Sequence, residues 1–331
     1  MRVWRLAPLS LSLVELVAGL AGVVEGGALL HAGLVSSALL GFYGGVAVGY
    51  ISSLARGSRL VEALLLAHAL LYTLSWLHPL AYAAASLLGL ASTLYTMARA
   101  RITVLQAGLS LLYSCGVAVA ALSWLYGRAG VVLYLAYILA VPAAAIIVVN
   151  SYALVKTYGL RVPLTLALIP VALLEASALL LAAGSGAYRV ASAAGFAVYA
   201  LLLAAMAAGV PGSRVYRGAK GVARESHRYL LLGELLAIPL SLAASLPADP
   251  LTLAHLVSIG YAGIHIAVHA PLMLPALLGV RAGRRYTPLP YLLVYLVLAA
   301  RLLGAHPLIT TTLALGYAAS LVHASFELRH A

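Results

Sequence analysis

Charge is what this chain lacks most. Charged residues make up 8% of 331 positions, and only eight are acidic. A soluble domain needs roughly 25% charged residues to cover its surface, so this composition excludes an ordinary water-soluble fold. Aromatic residues are also few, at 8%, with three Phe and three Trp. The hydrophobicity comes instead from Ala, Leu and Val, which is helix material and not the alternating pattern of a membrane β-barrel. A single cysteine, Cys115, excludes an internal disulfide framework and any CxxC metal or redox motif. No Walker loop, GxSxG or HExxH is present, so ATP-driven and hydrolytic mechanisms have no visible machinery.

What is abundant is apolar sequence in span-length runs. The mean hydropathy is +1.06, and 64% of residues are hydrophobic. With charges, Pro and Gly as punctuation, twelve spans are expected, at about 6–24, 27–53, 59–76, 79–97, 102–126, 130–154, 162–183, 187–209, 229–246, 250–278, 287–304 and 307–327. The expected fold is therefore an all-α polytopic transmembrane helix bundle, one integral domain over 1–331, in the cell membrane with the lipid bilayer as its main partner. The first apolar run follows Arg2 and Arg5, contains Glu15 and reads as a span, not as a cleaved signal. The weakest division is His78-Pro79, which alone separates the third span from the fourth.

The net charge of +12 is explained by topology. Seventeen of twenty basic residues fall on one side, in the loops after even-numbered spans and at the two ends, leaving Arg128, Arg189 and Arg301 opposite. The positive-inside rule makes the populated side cytoplasmic, with both termini inside. A nucleic-acid surface is not needed to account for the charge. The loop at about 210–228 is basic and could meet anionic headgroups. Gly41, Gly45 and Gly49 form a small-residue stripe that reads as helix packing. Most of the twenty tyrosines fit interfacial belts and helix packing.

Ionisable side chains inside a membrane are the functional candidates. Span ten reads LAHLVSIGYAGIHIAVHAPLMLP, with His255, His265 and His269. His265 and His269 are four apart, about 6 Å along the axis on one face, a spacing at which two imidazoles can hold one metal ion such as copper. His255 and His269 are fourteen apart, which on an α-helix returns to within ~40° and spans about 21 Å, the way di-haem cytochromes hold cofactors in the two leaflets. His31 and His323 lie on other spans, and His323 joins His265 and His269 as a metal candidate. The alternative for each is a histidine hydrogen-bonded to a neighbouring Ser, Tyr or carbonyl. His68 is mid-span, whereas His78 and His306, each followed by Pro, read as helix caps. Pro271 frees the carbonyl of Ala267. Of the carboxylates, Glu15 and Glu175 are deepest and could relay protons, while Glu25, Glu62 and Glu234 lie near span ends and read as ordinary.

Four segments together resemble the NnrS-like membrane proteins. They are HAGLVSSALLGFYGGVAVGY after His31, the basic loop into RGAKGVARESHRYLLLGELLAI, AHLVSIGYAGIHIAVHAPLMLPALLG, and YLLVYLVLAARLLG. His31, His255, His269 and Arg301 match that pattern position by position, and His265 and His323 do not belong to it. The family's His-Ala-His-Glu element is here His31-Ala32-Gly33-Leu34, and its Gly-His-Thr-Gly-Arg element is absent. The resemblance implies about twelve helices, bound haem and copper, and a link to nitric-oxide handling or respiratory electron transfer. It makes His31, His255 and His269 haem ligands and lets Arg301 meet a haem propionate. Two other expectations stand beside it: a proton-coupled permease using Glu15, Glu175 and His68, and a scaffold for a respiratory complex.

Overall fold

A computed structural model describes residues 7–24, 28–54, 58–99, 104–278 and 287–325. Among the described residues there is no strand, and nearly every residue is helical. The helices are α1 (Ala7–Val24), α2 (Ala28–Leu54), α3 (Arg59–Thr73), α4 (Pro79–Arg99) and α5 (Val104–Leu125). Next, α6 (Gly130–Ile138) runs through a π-helical segment (Leu139–Ala143) into α7 (Ala144–Tyr158). A 3-10 turn (Leu164–Ala167) opens α8 (Leu168–Ala183), followed by α9 (Tyr188–Gly209), the short α10 (Arg214–Gly218) and α11 (Gly221–Ala244). Then α12 (Pro250–His255) passes through a second π segment (Leu256–Ala262) into α13 (Gly263–Leu278), and α14 (Leu289–Leu302) and α15 (Pro307–Ser325) follow.

Each of the twelve expected stretches carries a helix. Seven are long and apolar enough to cross a membrane, and Ala7–Gly22, Gly33–Val46 and Leu289–Leu302 are shorter apolar helices. Large apolar side chains such as Val14, Leu87, Leu201, Leu292 and Ile309 point outward, as a lipid-covered bundle requires and a soluble one avoids. The helix punctuation behaves as its residues dictate. The ring nitrogens of His78 and His306 accept from the backbone N–H two residues on, at 3.1 and 3.3 Å, and cap α4 and α15. Asp249 caps α12, and the Thr252 hydroxyl and backbone N–H groups it accepts from hold its carboxyl below the usual aspartate range.

The chain forms two compact units, Met1–Ala145 with Val171–Ala191, and Ile146–Pro170 with Ser192–Ala331. In the first, α1 to α5 pack each on the next, and α6 lies against α2 and α5. The small-residue stripe is a packing device here. A Cβ on Gly41 would meet Ser12 and Thr73, and one on Gly45 would meet Leu9 at 2.8 Å. In the second unit, α11 and α15 pack on α13, and α14 on α15.

Many of the tyrosines serve helix packing. Tyr72, Tyr82, Tyr113, Tyr137, Tyr199, Tyr261 and Tyr291 are all fully buried. Several hydroxyls donate to carbonyls at helix irregularities. Pro271 has no N–H for Ala267, and the Tyr229 hydroxyl takes that carbonyl at 2.7 Å. Pro142 has no N–H for the carbonyl one π turn back, Tyr137, and Tyr82 donates there at 3.0 Å. Tyr317 donates to Gly263 where the second π segment ends, at 2.7 Å. In hydrocarbon each such carbonyl would otherwise have no water to turn to.

Candidate functional site

The strongest concentration of polar chemistry lies in the second unit, among α7, α9, α11 and α13. Asn150, the only asparagine in the chain, is its hub. It follows the run AAAIIVV on α7 and is 1% exposed. Its Nδ2 donates to Glu234 Oε2 at 2.8 Å and to the Tyr199 hydroxyl at 3.0 Å. Its Oδ1 accepts from His269 Nε2 at 3.0 Å. Tyr199 then donates to His265 Nε2 at 3.0 Å, and His265 Nδ1 donates to the Tyr261 carbonyl at 2.7 Å. In this assignment each amide, hydroxyl and imidazole donor of the network has an acceptor.

Glu234 closes the network. Its side chain is completely enclosed, and while Oε2 accepts from Asn150, Oε1 has no hydrogen-bond partner. His269 Nε2 lies 3.7 Å from that oxygen, and the His269 side chain is 19% exposed. Glu234 thus has one unsatisfied oxygen a single imidazole away from accessible space. The sequence placed Glu234 near a span end because Arg224 and Arg228 read as loop. The helix begins at Gly221, so Glu234 sits mid-helix. Glu175, in the first unit, is also buried with an unpaired oxygen. Glu15 is half-buried and Glu62 buried, and Glu25 lies outside the described residues.

The expected ligand histidines do not converge as α-helical spacing implied. Span ten is interrupted by the π segment Leu256–Ala262, which takes more residues per turn and slips the phase between His255 and the later pair. His265 is buried and His269 turns inward, but His255 is only half-buried. Its Nδ1 donates to the Leu251 carbonyl at 2.7 Å and its Nε2 accepts from Arg301 Nε at 3.0 Å. Arg301 thus meets the imidazole itself, where the resemblance gives it a haem propionate. His323 is exposed on α15 and joins neither His265 nor His269. His31 is half-buried in the first unit, with Nδ1 3.0 Å from the Gly19 carbonyl, whereas His255 belongs to the second.

As a test of fit for a metal or haem, these contacts are unfavourable. Iron or copper needs an imidazole lone pair, and those of His265 and His255 are taken by Tyr199 and Arg301. His269 Nδ1 makes no hydrogen bond among the described residues, but one nitrogen is not a ligand set. Among the described residues no group of three His, Cys, Asp or Glu is placed to hold a metal ion.

His68 is a packed histidine of the first unit. Its Nδ1 donates to the Ala85 carbonyl at 2.6 Å, its Nε2 lies 3.4 Å from the Tyr113 hydroxyl, and the Tyr72 ring is 4.4 Å away. Neither Asn150 nor Tyr199 was singled out from the sequence, although one amide ending an Ala-Ile-Val run is a legible signal. No family model, curated protein or solved structure matches this chain.

Proposed function

We propose that this chain crosses the membrane twelve times with both termini cytoplasmic, and that it is a proton-coupled secondary transporter with Glu234 as the proton-carrying group. The observation that carries this reading is Glu234 itself, enclosed in an apolar bundle with one oxygen unpaired. A carboxylate there is too costly to persist without a cation, so the group is neutral until a partner arrives. His269 supplies the route. A proton taken up at its Nδ1 allows the Nε2 proton to pass to Glu234 Oε1, once the 3.7 Å gap closes. Asn150 orients both groups, and the Tyr199 hydroxyl holds Asn150 in place.

Infrared difference spectra of the purified protein across a pH series test this. A carboxyl C=O band that appears on acidification and disappears in Glu234→Gln is expected. The same band persisting in that variant would sink the reading. Haem or copper ligation with nitrogen-oxide or electron-transfer chemistry is the competing proposal, and it rests on the NnrS-like resemblance. It requires His255 to release Arg301, and a Soret band lost in both His255→Ala and His269→Ala would establish it instead.

A further inference from the structure

A second cluster lies in the same unit, where α7 finishes and α11 begins. The membrane-length apolar stretch Gly130–Tyr158 ends at Tyr158, which is buried. The Tyr158 hydroxyl shares a hydrogen bond with His227 Nδ1 on α11 at 2.8 Å, and the two rings meet edge to face at 5.3 Å. Tyr216, on α10, brings a third ring to 6.5 Å from His227. Only Ala219 and Lys220 link α10 to α11, and Gly221 sits at φ 53°, in the left-handed region that lets so short a link turn. Three segments are thus held together by rings at the depth where the apolar stretch stops.

What these rings gather is positive charge. Residues 211–230 hold Arg214, Arg217, Lys220, Arg224 and Arg228 against the single acid Glu225. All five cations are exposed, and none pairs with an acid among the described residues. Tyr216 stands between Arg214 and Arg217 in the sequence, and Arg224 is three residues before His227, on the same face of α11. Val215 and Val222 are also exposed among these cations. The positive-inside rule accounts for the side on which such residues fall, but not for their being folded onto one cluster of rings. Apolar side chains interleaved with arginine suit the boundary between acyl chains and headgroups. The phosphates of a leaflet lie at the depth where a span such as Gly130–Tyr158 ends.

We infer that the Tyr158–His227–Tyr216 cluster gathers Arg214, Arg217, Lys220, Arg224 and Arg228 into a docking surface for the phosphate headgroup of an anionic phospholipid in the adjoining leaflet. Guanidinium groups take phosphate oxygens in pairs, which makes arginine the favoured partner for such a headgroup. Each cation close to an anionic membrane surface strengthens the attraction about fivefold. A zwitterionic headgroup, whose own ammonium answers its phosphate, gains little from the same surface. The inference uses the membrane-spanning fold and does not depend on Glu234, so either reading can fail without the other.

The test is native mass spectrometry of the full-length chain in a neutral detergent, titrated with dioleoylphosphatidylglycerol and, separately, dioleoylphosphatidylcholine. The anionic lipid should bind about tenfold or more tightly than the zwitterionic one. Arg214→Gln with Arg217→Gln should lower that affinity by about tenfold or more, from two cations at about fivefold each. Arg59→Gln with Arg99→Gln removes the same charge from the first unit and should leave it unchanged. Tyr216→Leu alters no charge, and it should weaken the anionic lipid while the thermal midpoint stays at the wild-type value. Should that variant melt early, the two charge pairs decide alone. Glu234→Gln should bind the lipid as the wild type does. Equal binding of the two lipids, or equal losses from the two charge pairs, would overturn the inference and leave only diffuse attraction to net charge. Displacement of the lipid by excess inorganic phosphate would reassign the surface to a free anion. Poly-glutamate binding as tightly as the anionic lipid would reassign it to a soluble acidic partner.

Discussion

One asparagine decides the chemistry of the second unit at the residue scale. Asn150 satisfies Glu234, Tyr199 and His269 together, each at 3.0 Å or less. An apolar replacement leaves three buried polar groups short of a partner, at about 1–3 kcal/mol each before relaxation. Asn150→Leu is therefore expected to lower the thermal midpoint in detergent sharply, whereas Asn150→Gln, with the same amide, loses less. Equal midpoints for Asn150→Leu and wild type would show that the network contributes nothing to stability. The sequence made parts of this site readable. Span ten stood out because histidine is costly in hydrocarbon, and two of its three histidines do enter the network. Arg224 and Arg228 make Glu234 read as the end of a span, and the uncharged amide of Asn150 lacks the burial cost that marks an ionisable group in hydrocarbon. Which lone pair meets which proton depends on four helices meeting, and no single span carries that information.

At the scale of the element, prolines and tyrosines act as pairs. The Ala267 carbonyl, expected from Pro271 to lack its helical partner, is taken by Tyr229. Tyr229→Phe should destabilise by about 1–2 kcal/mol, because the carbonyl is then buried without a donor. Pro271→Ala restores the missing N–H and should make Tyr229→Phe nearly harmless. A double-mutant cycle in a reversible detergent unfolding assay measures that coupling, and additive effects would mean the two residues are independent. Here the sequence announced the vacancy but not its filler, since the donor lies 38 residues away. The π segment before α13 was invisible for a similar reason. Its residues are compatible with α-helix, and the extra residue per turn is set by packing. That slip turned a fourteen-residue α repeat into two histidines with different surroundings.

For the whole molecule, hydropathy and charge were enough to fix the class and to place a helix on each of twelve stretches. The topology proposed from the basic residues puts a reporter fused after Ala331 in the cytoplasm. An external signal from that fusion would mean an odd number of crossings, and the short α3, which ends at Thr73 before His78-Pro79, would be the first helix to reassign. The hydroxyl-to-carbonyl pairs also bear on how such a chain is made. Tyr82 precedes Tyr137 by 55 residues and Tyr229 precedes Ala267 by 38. Synthesis runs from the N-terminus, so at both proline breaks the donor helix leaves the ribosome before the helix that needs it. Each broken helix then enters a bilayer where its missing donor is already waiting, and biosynthetic order shortens the time that either carbonyl is left in lipid without a hydrogen bond.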